Sequence, residues 1–158
     1  MTLSIRSLTL ADADAIEPME RELFASDAWP RAVIEDELGH PLSYYRGIEH
    51  DGALIAYAGL RAMLENAGQG DIQTIAVWPQ HRKQGVGRRL LRDLIEESER
   101  RGVRDLFLEV RADNAGAIAL YESEGFREID RRAGYYQPDS VDAVVMCRTV
   151  NVNQEESA

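Results

Sequence analysis

The sequence predicts an α/β protein: one domain over residues 1–149, with a mixed central sheet of about seven strands, about four helices and a central parallel strand–helix–strand crossover. Three observations predict it. Short alternating segments and the Asp51-Gly52 turn shape the first half, as in antiparallel hairpins. The clearest amphipathic helix, 85–101, lies between two apolar strand-like runs, 72–77 and 106–110, which fits a parallel crossover. A chain of 158 residues is also the length of one domain with its own core.

The elements follow in order. Residues 4–8 alternate as a strand. From 12 to 24, Ile16, Met19 and Leu23 recur at helical spacing, with Thr9 or Asp12 as cap. Trp29-Pro30 opens a second helix through Leu38, with proline at its first position. Residues 44–49 and 53–62 make a hairpin on Asp51-Gly52. Gly68-Gln69-Gly70 reads as a turn, and 72–77 as a strand stopped by Pro79. The 85–101 helix carries the stripe Val86, Leu90, Leu91, Leu94 and Ile95 and ends at Gly102. The run 106–110 is nearly all apolar, as in a strand buried on both faces. A short helix over 114–123 closes at Gly125, and 126–132 and 142–149 complete the sheet. The polar tail, 150–158, is expected to be disordered.

Composition narrows the function. The net charge of -10 argues against binding nucleic acid through general electrostatics. No apolar run approaches the roughly 20 residues that cross a bilayer, so no membrane partner is expected. The start lacks the layout of a secretory signal, which makes the cytoplasm the expected location. The lone cysteine, Cys147, sits in an apolar stretch and reads as a core residue. His40, His50 and His81 are widely spaced and fit no metal pattern, so no metal is expected. Acids crowd the first forty residues, whereas Arg82, Lys83, Arg88, Arg89 and Arg92 crowd one later segment. A local basic patch on an acidic chain points to a dedicated anion site.

That patch has a backbone counterpart. The strand Ile75-Ala76-Val77 ends, a loop with two glycines follows, and a helix starts at once. The first four amides of a helix have no internal partner and lie at the positive end of its dipole. Gly85 and Gly87 remove side chains, so a diphosphate can approach the backbone of Lys83, Gln84, Gly85, Val86, Gly87 and Arg88, with Arg82 adding charge. The spacing matches neither the P-loop nor the dinucleotide fingerprint. An ordinary tight turn with glycines for packing is the other reading of these residues.

Here the sequence resembles a family. Arg82-x-x-Gly85-x-Gly87 is similar to the coenzyme-A loop of the GNAT (Gcn5-related N-acetyltransferase) superfamily. Ile75-Ala76-Val77-x-Pro79 precedes it, Leu108-Glu109-Val110-Arg111-Ala112-Asp113-Asn114 and Ala117 through Phe126 follow, and Arg131-Arg132-Ala133-Gly134-Tyr135-Tyr136 comes last. These blocks resemble the RimI branch, which acetylates the N-terminal alanine of small-subunit ribosomal protein eighteen. The likeness is close over 72–148 and loose before it. Trp78 stands where many relatives carry aspartate, and Arg82-Lys83 where relatives often carry glutamine. The resemblance implies the GNAT fold, acetyl-CoA as co-substrate and no metal.

Acetyl transfer needs a neutral amine, a polarised thioester carbonyl and help for the leaving thiolate. A free α-amine titrates near 8 and lysine near 10.4, so at pH 7 deprotonation costs about 1.4 against more than about 4 kcal/mol. An α-amine enzyme therefore needs only a modest base. Glu109 interrupts an apolar run, and strand alternation sets Phe107, Glu109 and Arg111 on one face. Read from the residues alone, it is either a base or half of a structural salt bridge, Arg111 being the candidate partner. The resemblance implies the base. Asp71 is a weaker alternative. Asn114, Ile118 and Tyr121 follow helical spacing. The resemblance implies that Tyr121 is the acid facing the coenzyme sulfur, that Asn114 contacts the coenzyme arm, and that backbone amides at Ile75, Ala76 and Val77 grip that arm and polarise the carbonyl.

The acceptor implied is a protein with a small N-terminal residue followed by basic ones. The acidic first half and the aromatics Trp29, Tyr44, Tyr135 and Tyr136 suit such a peptide. Two other readings stay open: a GNAT enzyme for another amine (a lysine, a polyamine or an aminoglycoside), and a non-catalytic coenzyme-A-binding module.

Overall fold

A computed structural model describes residues 3–150. The strands are β1 Leu3–Ser7, β2 Ser43–His50, β3 Ala53–Ala62, β4 Gly68–Val77, β5 Val103–Arg111, β6 Arg127–Tyr136 and β7 Val141–Thr149. The α-helices are α1 Ala13–Phe24, α2 Arg31–Gly39, α3 Val86–Arg100 and α4 Ala115–Ser123. They form the expected seven-stranded mixed sheet, in the order β1-β2-β3-β4-β5-β7-β6. β4 and β5 pair in parallel, and α3 is the crossover between them. The tail at 151–158 lies outside the described residues.

By contact the chain divides into two compact units, one running to Arg61 and including Ile72–Glu96, the other formed by Ala62–Asp71 and the chain from Glu97. In the first unit the Asp51-Gly52 turn is confirmed, with φ of 51° and 85°. Both values are left-handed, as a two-residue turn matched to the strand twist requires. Tyr45 pairs with Gly59 across the hairpin, and a Cβ at Gly59 would overlap its ring. The core of this unit joins Ala13, Ile16 and Met19 of α1, Ile34 of α2, Tyr45, Tyr57 and Ala76. Asp12 accepts from the Thr9 backbone N–H at 2.8 Å, and so belongs to the cap of a short 3₁₀ turn ahead of α1. Pro30 is the N-cap of α2, not its first helical residue. Its fixed φ of -69° is combined with an extended ψ of 160°, so the chain enters the helix one residue later.

The second unit corrects two expectations. Gly68-Gln69-Gly70 is strand, not turn. Gly68 takes a place in the sheet because its N–H bonds Gly102 O at 3.0 Å and it and Gln69 pair with Val103 and Asp105. Nor is β5 buried on both faces: Leu106, Leu108 and Val110 are buried, but Glu109 is exposed and Phe107 half-buried. Antiparallel β7 beside it explains the difference, because such sheets can leave one face to water.

Glu20 is the odd residue of the first core. It sits one turn after Ile16 on α1 and is only 2% exposed. Burial raises its carboxyl from 4.5 to about 7, against the opposing pull of the Tyr57 hydroxyl and the Trp29 backbone N–H. The folded-state value lies above the unfolded one, so folding favours the protonated acid. Its contribution is therefore full below about pH 4.5 and is lost as pH rises through about 7. The melting temperature should fall between pH 5 and pH 8, and Glu20→Gln should flatten that slope. An unchanged slope in the Gln variant would exclude Glu20 as its source.

Candidate active site

The phosphate-loop candidates all lie in the first unit. After Val77 a 3₁₀ turn, Pro79–His81, redirects the chain. Arg82 Nε reaches back to Val77 O at 3.4 Å. Lys83 and Gly85 both have positive φ, 63° and 78°. Arg89 N bonds Gly85 O at 3.0 Å, so Gly85 is the residue on which α3 starts. A Cβ there would meet nothing within 4 Å. Arg82, Lys83, Gln84 and Gly85 are exposed, Val86 is buried, and Gly87 and Arg88 are half-buried in the first turn of α3. Val86 anchors the turn in the core while the residues before it stay open to solvent. Ile75, Ala76 and Val77 form the end of β4, with Ala76 buried in the α1–α2 core.

Glu109 and Tyr121 lie in the second unit. Glu109 projects from the open face of β5, and its partner is Arg132, with Nη2 to Oε1 3.2 Å. It is not Arg111, which turns instead to Asp113 and Asp139 at 3.1 and 3.3 Å. Asn114 is the N-cap of α4, its Oδ1 accepting from Ala117 N at 3.1 Å. This is the usual work of asparagine at a helix start. It engages the side-chain oxygen; the amide nitrogen is not part of the cap. Tyr121 is buried against Phe126, ring centroids 5.9 Å apart. Burial first, and Tyr136 second, push its phenol up to about 12. Tyr121 is therefore a protonated donor throughout the neutral range.

Of the aromatic candidates, Tyr135 and Tyr136 meet edge to face at 5.2 Å. Arg132 lies over the Tyr135 ring at 5.5 Å and Arg111 over the Tyr136 ring at 5.3 Å. A bulge in β6 between Arg132 and Tyr136 brings these rings together, with Gly134 at φ 61° and its N–H bonded to Asp142 Oδ1 at 3.0 Å. In the first unit Trp29 packs against the α1–α2 core, and Tyr44 donates its hydroxyl to Asp93 of α3 at 2.8 Å. Tyr44 thus belongs to the α3 packing. Sequence reasoning passed over Arg132, whose doublet with Arg131 was visible. The register that points one arginine at Glu109 was not.

The sheet order β1-β2-β3-β4-β5-β7-β6 is accompanied by a family match: a profile of the Acetyltransferase (GNAT) family matches residues 10–126. The chain belongs to the acetyltransferase (GNAT) family and is an acetyltransferase of its RimI type. It is 39% identical over 148 residues to the N-alpha-acetyltransferase RimI of Mycobacterium tuberculosis, covering 92% of each chain. It is 36% identical over 151 residues to the [Ribosomal protein bS18]-alanine N-acetyltransferase of Escherichia coli K12, covering 94% of this chain and 99% of that one. The crystal structure of the ribosomal-protein-S18-alanine N-acetyltransferase from Escherichia coli superposes with a TM-score of 0.84, at 36% identity and 95% coverage of both chains. GNAT acetyltransferases use acetyl-CoA. Among the described residues no group of three or more His, Cys, Asp or Glu side chains could hold a metal ion, and no helix is long and apolar enough to cross a membrane.

Proposed function

We propose that this protein transfers an acetyl group from acetyl-CoA to the N-terminal alanine of ribosomal protein bS18 in the cytoplasm, through one catalytic domain over residues 1–149. The observation that carries this reading is the match to the E. coli bS18-alanine N-acetyltransferase across 99% of its length. The diphosphate of the coenzyme binds the backbone of residues 83–88, supported by the exposure of Lys83, Gln84 and Gly85 and the open space over Gly85. The α-amine attacks the thioester carbonyl, the C–S bond breaks, and the carbonyl reforms as an amide. The amine's proton goes to Glu109, directly or through one water, and the thiolate is met by Tyr121.

The raised phenol alters the second role. Full proton transfer from a group near 12 to a thiolate near 8.5 is uphill by about 5 kcal/mol. A hydrogen bond donated by Tyr121 to the developing thiolate is the form of help that fits. The acceptor is a peptide with a small first residue and basic residues after it, and the Tyr135–Tyr136 pair of the second unit is its proposed contact. Tyr135 is 49% exposed, with Arg132 over its ring.

Two peptides test the acceptor: Ala-Arg-Tyr-Phe-Arg with a free N-terminus, and the same sequence blocked there and extended with lysine. The free peptide should be acetylated far faster, with the acetyl group located on alanine by mass spectrometry. Faster acetylation of the lysine peptide would falsify the N-terminal assignment in favour of a side-chain amine.

A further inference from the structure

Glu109 and Arg132 lie on strands separated by β7. The register sets Ala143 of β7 against both Arg111 and Arg132, and Val145 against both Glu109 and Asp130. The two guanidinium groups that flank this alanine take different carboxylate partners. Arg111 leans to Asp113 and Asp139. Arg132 reaches across β7 to Glu109 Oε1 at 3.2 Å. Its guanidinium also covers Tyr135, whose ring meets Tyr136 at 5.2 Å. Tyr136 in turn is the residue that, after burial, most perturbs Tyr121. One arginine thus links the carboxylate to the aromatic pair.

We propose that Arg132 is a positioning residue for acetyl transfer: it fixes the direction of the Glu109 carboxylate and ties it to the Tyr135 side of the acceptor site. The inference rests on the reading of Glu109 as base. Its logic is one of magnitude. An ion pair between half-exposed side chains adds little to stability. A base that wanders from its working geometry loses much more in rate. Loss of Arg132 should therefore register in turnover and hardly at all in melting.

The test is a double-mutant cycle on the free-N-terminus peptide, with Arg132→Ala and Arg132→Gln each made in the wild-type and Glu109→Gln backgrounds. Arg132→Ala should lower kcat by about tenfold, with KM for acetyl-CoA and the melting temperature unchanged. In the Glu109→Gln background the same change should have no further effect. Arg132→Gln, which keeps a donor but no charge, should fall between, and it carries the test if the alanine variant does not fold. An undiminished kcat in both Arg132 variants overturns the proposal, as does an equal loss with and without Glu109. Full activity in Glu109→Gln alone overturns the base reading first, and this proposal with it.

Discussion

Gly85→Glu should weaken acetyl-CoA binding by at least about 100-fold, roughly 2.7 kcal/mol, while the protein still folds. Gly85 sits at φ 78°, a region that costs an L-residue about 1–2 kcal/mol. The Cβ itself meets nothing within 4 Å, so packing tolerates the change. What it does not tolerate is a carboxylate placed where the coenzyme's diphosphate is proposed to lie. Two like charges about 4 Å apart near a surface repel by roughly 4 kcal/mol. Gly85→Ala separates the causes, because it imposes the backbone strain without the charge and should lose far less affinity. Calorimetric titration of both variants with acetyl-CoA decides it. Equal affinity in wild type and the glutamate variant would remove the diphosphate from this loop.

Glu109→Gln and Tyr121→Phe should each lower kcat by about 10²- to 10⁴-fold, with acetyl-CoA affinity nearly unchanged. Both substitutions keep shape. Glutamine retains an oxygen for Arg132, and phenylalanine retains the ring that packs at 5.9 Å on Phe126. What is lost is proton acceptance in one case and a donor to the thiolate in the other. Because Tyr121 titrates near 12, the alkaline limb of the wild-type pH–rate profile should not come from its ionisation below about pH 10. Steady-state assays of coenzyme-A release with the peptide acceptor give these values. Wild-type turnover in either variant would strike that residue from the mechanism.

Much of this protein was legible because its signals are local. The Asp51-Gly52 turn announces itself through two residues that tolerate positive φ. The stripe on α3 ends at Gly102, whose φ of 81° and bond to Glu99 O at 3.0 Å close the helix as the glycine implied. Strand alternation correctly set Phe107, Glu109 and Arg111 on the less buried face of β5. Even Glu20 left a trace, as an acid standing on the apolar stripe of α1 between Ile16 and Leu23.

The chain alone determined which residue types stand on which face of which element, because helix and strand periods are properties of a few consecutive residues. Only the tertiary structure decided their partners. Gly68-Gln69-Gly70 looks like a turn until β5 supplies a ladder for it. Glu109 has an arginine two residues away, yet it pairs with Arg132, 23 positions on, because β7 brings β6 alongside β5 while Arg111 turns to Asp113 and Asp139. Tyr121 is an ordinary phenol by sequence, and it becomes a weak acid near 12 only because α4 buries it beside Phe126. Register and burial are set by strands far apart in the chain, and no local pattern encodes them.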